Sequence, residues 1–208
     1  SLVEDMSHLF AGCHTLSNIY VSNFNTQNVK DMSYMFYSLS DLGSLNVSNF
    51  DTSKTRNMTK IFFDLSSLTS IIGLENWNTI NVIDMSSMFE GCVKLRVLNV
   101  GKFNTKNVQT MRKMFTCCNS LPSLDVSSFD TSQVTDMSDM FSYMNQLTSL
   151  SISHFETSKV INMSQMFRSD GNLYSIDVSK FNTAQVTDMS GMFYLCSSLS
   201  YLDLSSFN

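Results

Sequence analysis

Proline occurs once and glycine seven times in 208 residues, which leaves little material for flexible linkers. Charge is scarce as well: 15% of the residues are charged and the formal net charge is -5. That balance excludes nucleic acid as the default partner, because neutralising phosphates takes a basic footprint. No apolar run approaches the roughly 18 residues that a membrane-spanning helix requires, so no membrane insertion is expected of this stretch. No basic-then-apolar leader opens it either. The five cysteines include no Cys-x-x-Cys pair, which argues against zinc. The sequence has no G-x-S-x-G, H-E-x-x-H, Walker or EF-hand pattern. His8, His14 and His154 fall at unrelated positions. The expectation is a chain that is not an enzyme and carries no metal or cofactor.

Against these shortages stand fifteen methionines and sixteen phenylalanines, a surplus that an internal repeat would produce. Alignment on V-x-D-M-S places Val3, Val29, Thr55, Val82, Val108, Val134, Val160 and Val186 in one column, at intervals of 26, 26, 27, 26, 26, 26 and 26. The first methionine recurs in all eight copies, from Met6 to Met189. So does the phenylalanine after the second methionine column, from Phe10 to Phe193. A second aromatic column runs from Phe24 through Trp77 to Phe207. The one long interval falls at Ile71-Ile72-Gly73-Leu74 and predicts a local bulge in or just after a strand.

Within a copy the period changes. Met111, Met114, Phe115 and Cys118 stand at i, i+3, i+4 and i+7, the spacing of one helical face. Leu124 and Val126 then alternate as a half-buried strand does. The predicted fold is an α/β repeat solenoid over residues 1–208, with eight stacked units. It has a continuous parallel sheet on one face, short helices on the other and a right-handed course. Asp5, Asp31, Asp84, Asp136 and Asp188, with Asn57 and Asn162, stand where helix N-caps belong. A threonine column, Thr26 to Thr183, reads as turn chemistry inside each coil.

The unit is most regular in Val134-Thr135-Asp136-Met137-Ser138-Asp139-Met140-Phe141 and Val186-Thr187-Asp188-Met189-Ser190-Gly191-Met192-Phe193. It resembles the 26-residue surface-protein repeat of bacteria, in the BspA-like leucine-rich-repeat group, over all eight copies. The resemblance implies a right-handed leucine-rich-repeat solenoid and an extracellular, cell-surface location. It also implies an adhesin role toward host glycoprotein, mucin or extracellular matrix. Neither end carries a polar capping repeat, so the stretch is expected to be a segment of a longer chain, with leader and anchor elsewhere.

Candidate chemistry is sparse. Cys13, Cys92, Cys118 and Cys196 share a column with Leu39, Leu65 and Met144, which predicts buried free thiols. Cys117 is off that column and is expected nearest to solvent. Lys94, Arg96, Lys102 and Lys106, with Asn99, lie in an acid-free stretch of copies four and five. They form a candidate patch for anionic sugars. The outward strand positions include Tyr20, Asn46, Asp125, Asp177, Tyr201 and Asp203, groups suited to hydrogen bonding and stacking on a glycan. Tyr34, Tyr37 and Phe63 form a candidate aromatic cluster on the other side. Two functional readings follow: a binding module, probed by its affinity for glycan or mucin, or a stalk that projects another domain and binds nothing.

Overall fold

A computed structural model describes residues 2–208. One buried apolar cluster runs from Val21 to Met192, built from the same repeat columns along its length, with Met6, Phe10 and Phe193 partly buried against its two ends. We number the coils one to eight by their first methionine, Met6 to Met189. The Phe10 column stacks continuously through the molecule: successive ring centroids from Phe10 to Phe193 lie 5.8, 5.8, 5.5, 5.8, 5.7, 5.8 and 5.5 Å apart. Each ring is a large hydrophobic group, and its nearest neighbour is its own equivalent one coil away.

The predicted helices are absent: no α-helix forms among the described residues. Met111, Met114, Phe115 and Cys118 are all buried, so the 3–4 spacing marks the inward face correctly. The backbone reaches that face by a different route. In a helix each N–H returns to the carbonyl four residues back. Here alternate N–H groups leave the coil. Met111, Lys113, Phe115 and Cys117 donate to the carbonyls of Asp136, Ser138, Met140 and Ser142 at 2.9–3.0 Å. The N–H groups between them close tight turns, as Met114 does on Met111 and Thr116 on Lys113. The turns require a left-handed residue at every fourth position: Lys113 and Cys117 have φ of 58° and 61°. The same two positions are left-handed in every coil, filled by residues as bulky as Tyr143 and Leu195. Such residues avoid that region unless the surroundings over-determine it; the four backbone bonds that join each coil to a neighbour do so.

The acidic column keeps its capping chemistry without the helix. Ser33, Ser86, Ser138 and Ser190 donate their backbone N–H to the Oδ1 of Asp31, Asp84, Asp136 and Asp188 at 2.7–2.9 Å. These are Asx turns. The column is also the longest parallel ladder in the molecule, bridged without a break from Asp5 to Asp188. The threonines likewise work between coils rather than within one. Thr79 Oγ1 donates to the Asn104 carbonyl at 2.9 Å and accepts from the Asn104 N–H at 2.8 Å.

The expected continuous sheet is reduced to two parallel pairs. Strand β1 (Ser44–Asn46) pairs with β2 (Ser70–Ile72), and β3 (Ser149–Leu150) with β4 (Ser175–Ile176). The register steps by one repeat, Ser44 opposite Ser70 and Ser149 opposite Ser175. The extra residue of copy three is Gly73, just after β2 and ahead of a 3-10 turn at Leu74–Asn76. Its φ is 99°, and a Cβ there would stand 2.3 Å from the Ser48 Cα. Only glycine fits both requirements, and the inserted residue is absorbed without moving Leu74 or Trp77 from the core.

Candidate functional site

The outward strand positions converge at one end. Alternation along β3 and β4 turns Leu150 and Ile176 inward and leaves Ser149, Ser151, Ser175 and Asp177 outward. Coil eight adds Tyr201 and Asp203, and the residue ahead of β4 adds Tyr174. Together they line a groove of about 780 Å³. Tyr174 is 55% exposed and Tyr201 75% exposed. Asp177 Oδ1 accepts from the Ser179 hydroxyl at 2.6 Å and its N–H at 3.0 Å. Asp203 Oδ1 accepts from the Ser205 N–H at 2.9 Å. These bonds hold both carboxyls below the usual carboxylate range; at Asp203 the charge of Asp177 opposes the effect without reversing it. The groove therefore presents two ionised carboxylates, two phenol rings and several serine hydroxyls, and no lysine or arginine lines it.

Tyr20 and Asn46 meet at the other end of the chain, in a groove of about 310 Å³ that Asn18 and Ser44 share. Tyr20 is 90% exposed. The Oδ1 of Asn46 is engaged by Ser48. Asp125 belongs to neither groove. Its Oδ1 accepts from Ser127, and its Oδ2 lies over Gly101, 2.5 Å from where a Cβ would stand.

The basic residues do not assemble as a patch of one groove. Lys94, Arg96, Asn99, Lys102 and Lys106 are all exposed. Arg96 lines a separate groove with Asn119, Pro122 and Gln146. Lys106 stands beside Asp130, whose pKa it helps to lower after the Ser132 hydrogen bonds. Lys94, Asn99 and Lys102 line none of these three grooves.

On the turn side, Tyr34, Tyr37 and Phe63 do cluster. Centroid separations are 5.4 and 4.8 Å, His8 stacks on Tyr34 at 4.5 Å, and the Lys60 ammonium lies over Tyr34 and Phe63. Arg168 lies similarly between Tyr143 and Tyr194. The other two histidines each meet a backbone carbonyl, His14 that of Ser38 and His154 that of Val126. All five cysteines are unpaired. Cys92 and Cys118 are buried and donate to the Phe62 and Phe89 carbonyls; burial pushes the Cys92 thiol up to about 12. Three expectations are corrected: Cys13 is exposed and Cys196 half-buried although their column predicted burial, and Cys117 is half-buried rather than the thiol nearest to solvent. Among the described residues no three His, Cys, Asp or Glu side chains converge as metal ligands. Nor is any helix long and apolar enough to cross a membrane.

One residue escaped the sequence reading. In copy seven the cysteine–leucine–methionine column holds Asp170, 26 residues after Met144 and 26 before Cys196. It is 0% exposed. A carboxyl in a column of apolar groups is itself the signal, visible once the column is read through every copy.

Fold and site together define a class: a repeat solenoid with a side-chain-lined groove on its strand side. The chain belongs to the family described as Mycoplasma protein of unknown function, DUF285, whose overlapping matches cover residues 1–96, 44–124, 66–150 and 123–208. Among solved structures, it is similar to a leucine-rich cell surface protein from Faecalibacterium prausnitzii A2-165. Identity there is 13% over 100% of this chain and 72% of that one, with a TM-score of 0.33. No curated protein matches the chain.

Proposed function

We propose that the chain is an extracellular binding module of a bacterial cell surface, an adhesin segment of the BspA-like kind that holds glycans of host glycoprotein, mucin or matrix. It catalyses nothing in this reading. The observation that supports it is the meeting of Tyr174, Tyr201, Asp177, Asp203 and the serine hydroxyls in one groove. Phenol faces take the apolar faces of sugar rings, and carboxylate and hydroxyl oxygens take sugar hydroxyls as hydrogen-bond donors. Two negative charges with no cation among the lining residues favour uncharged glycans over sialylated or sulfated ones, since like charges at a binding surface repel. The favoured site therefore lies in coils six to eight, away from the basic residues of coils four and five.

Immobilised mucin, native and desialylated, tests the reading. The chain is expected to bind the desialylated form more tightly, and Tyr174→Ala with Tyr201→Ala to abolish binding. Replacing Lys94, Arg96, Lys102 and Lys106 together should leave binding intact. Tighter binding to sialylated mucin, lost with the four basic residues and weakened by salt, would move the site to them. No binding to either mucin or to matrix protein would make the chain a stalk.

A further inference from the structure

Asp170 sits between the two coils whose strands form the groove. Its Oδ1 accepts the backbone N–H of Met144 in coil six at 2.7 Å, and its Oδ2 is buried with no hydrogen-bond partner. The contact joins two turns. The Met144 carbonyl accepts from Leu147, which leads into β3; the Asp170 carbonyl accepts from Leu173, which leads into β4. One side chain thus ties together the turns that deliver Ser149 and Ser175 to the groove.

Among the described residues no cation compensates the carboxyl. Met144 packs it from coil six, and the Cys196 thiol, itself raised to about 11, faces it from coil eight. Arg168, two residues away, directs its guanidinium to Tyr143, Tyr194 and Gln165. We propose that Asp170 is a proton-gated clasp: uncharged, it closes coils six and seven and keeps the groove formed; ionised, it opens them. This rests on the groove being the binding site, and names its regulation.

Burial pushes the Asp170 carboxyl up to about 8, with the Met144 hydrogen bond opposing. The sign follows from linkage. Below about pH 4 the carboxyl is protonated whether the clasp is closed or open, and closure is undiminished. Between about pH 4 and the closed-state value the open form gives up its proton and the closed form retains it, so opening grows by up to about tenfold per pH unit. Above that value both forms are ionised and opening levels off. Asp177 and Asp203, with lowered pKa values, titrate below this window.

Hydrogen exchange of the whole chain tests the clasp, read at the β3 and β4 amides from pH 5 to 9 and corrected for intrinsic exchange. The wild type should lose protection steeply up to pH 8 and then plateau. Asp170→Asn, which keeps an acceptor and cannot ionise, should show no slope. Asp170→Leu, the residue of the same column in coils two and three, should show none either. Both variants retain the three histidines, so a slope that survives in them belongs to other groups and overturns the proposal, as does a flat wild type. Binding of desialylated mucin is followed over the same range: it should weaken toward pH 8 in the wild type and hold constant in Asp170→Asn. Exchange that follows the clasp while no mucin binds would sink the glycan reading alone; mucin binding without the exchange slope would sink the clasp alone.

Discussion

The turn side and the strand side of this solenoid follow opposite rules. On the turn side all eight coils repeat the same left-handed positions and Phe stack, and four backbone bonds join each neighbouring pair. On the strand side the outward residues change from coil to coil, and among the described residues strand pairing survives only between coils two and three and between six and seven. The turn side is fixed because a ring, a left-handed backbone and an inter-coil donor must match the coil above and the coil below. The strand side is free to vary because its outward residues meet solvent. The proposed glycan groove lies on the side that stability leaves unconstrained.

The comparison breaks most visibly at the centre of the Phe stack. Phe115→Ala removes a ring with stacked neighbours on both sides and should destabilise by about 3–5 kcal/mol, read as a fall in the midpoint of chemical unfolding. Gly73→Ala comes next: the left-handed backbone alone should cost about 1–3 kcal/mol, and the approach to Ser48 adds to it. A loss below that range would mean that the insertion in copy three can move. Thr79→Val deletes one donor and one acceptor between coils three and four, and should cost about 0.5–1.5 kcal/mol per hydrogen bond lost, because the Asn104 backbone groups are left partly accessible to water. The strand side supplies the contrast: Tyr174→Ala with Tyr201→Ala should change stability by no more than about 0.5 kcal/mol per residue while removing mucin binding. A larger loss would show these rings to be structural. The smallest effect concerns the thiols. Native protein should react readily at Cys13, slowly at Cys117 and Cys196, and not at Cys92 or Cys118, with all five reacting once unfolded; peptide mapping of the labelled protein reads the order.

Much of the architecture was legible in the columns. Met111, Met114, Phe115 and Cys118 are buried as their spacing requires, the 26-residue step is the strand register, and the lone long interval is absorbed at Gly73. The route of the backbone through the Met-x-x-Met-Phe segment was not legible, although the strand positions were. A spacing of three and four places side chains on one face whether the backbone is a helix or a run of turns, and nothing in Met-Arg-Lys-Met-Phe says which. Of the candidate site, Asp177, Tyr201 and Asp203 meet as strand alternation suggested, whereas Arg96 and Lys106 part because proximity in sequence does not place loop residues in one groove. Tyr174 joins from a position just ahead of the strand, where alternation gives no guide.

Residue type and a fixed repeat length were enough to say which residues face inward and how the coils register. The tertiary structure decided where the backbone hydrogen bonds go. Each coil lies beside a copy of itself, so an N–H can bond one repeat away as readily as within its own turn. That choice replaced the helices with left-handed turns, while the alternating strand residues of coils six to eight line the groove and the carboxyl of Asp170 lies buried against the backbone of Met144.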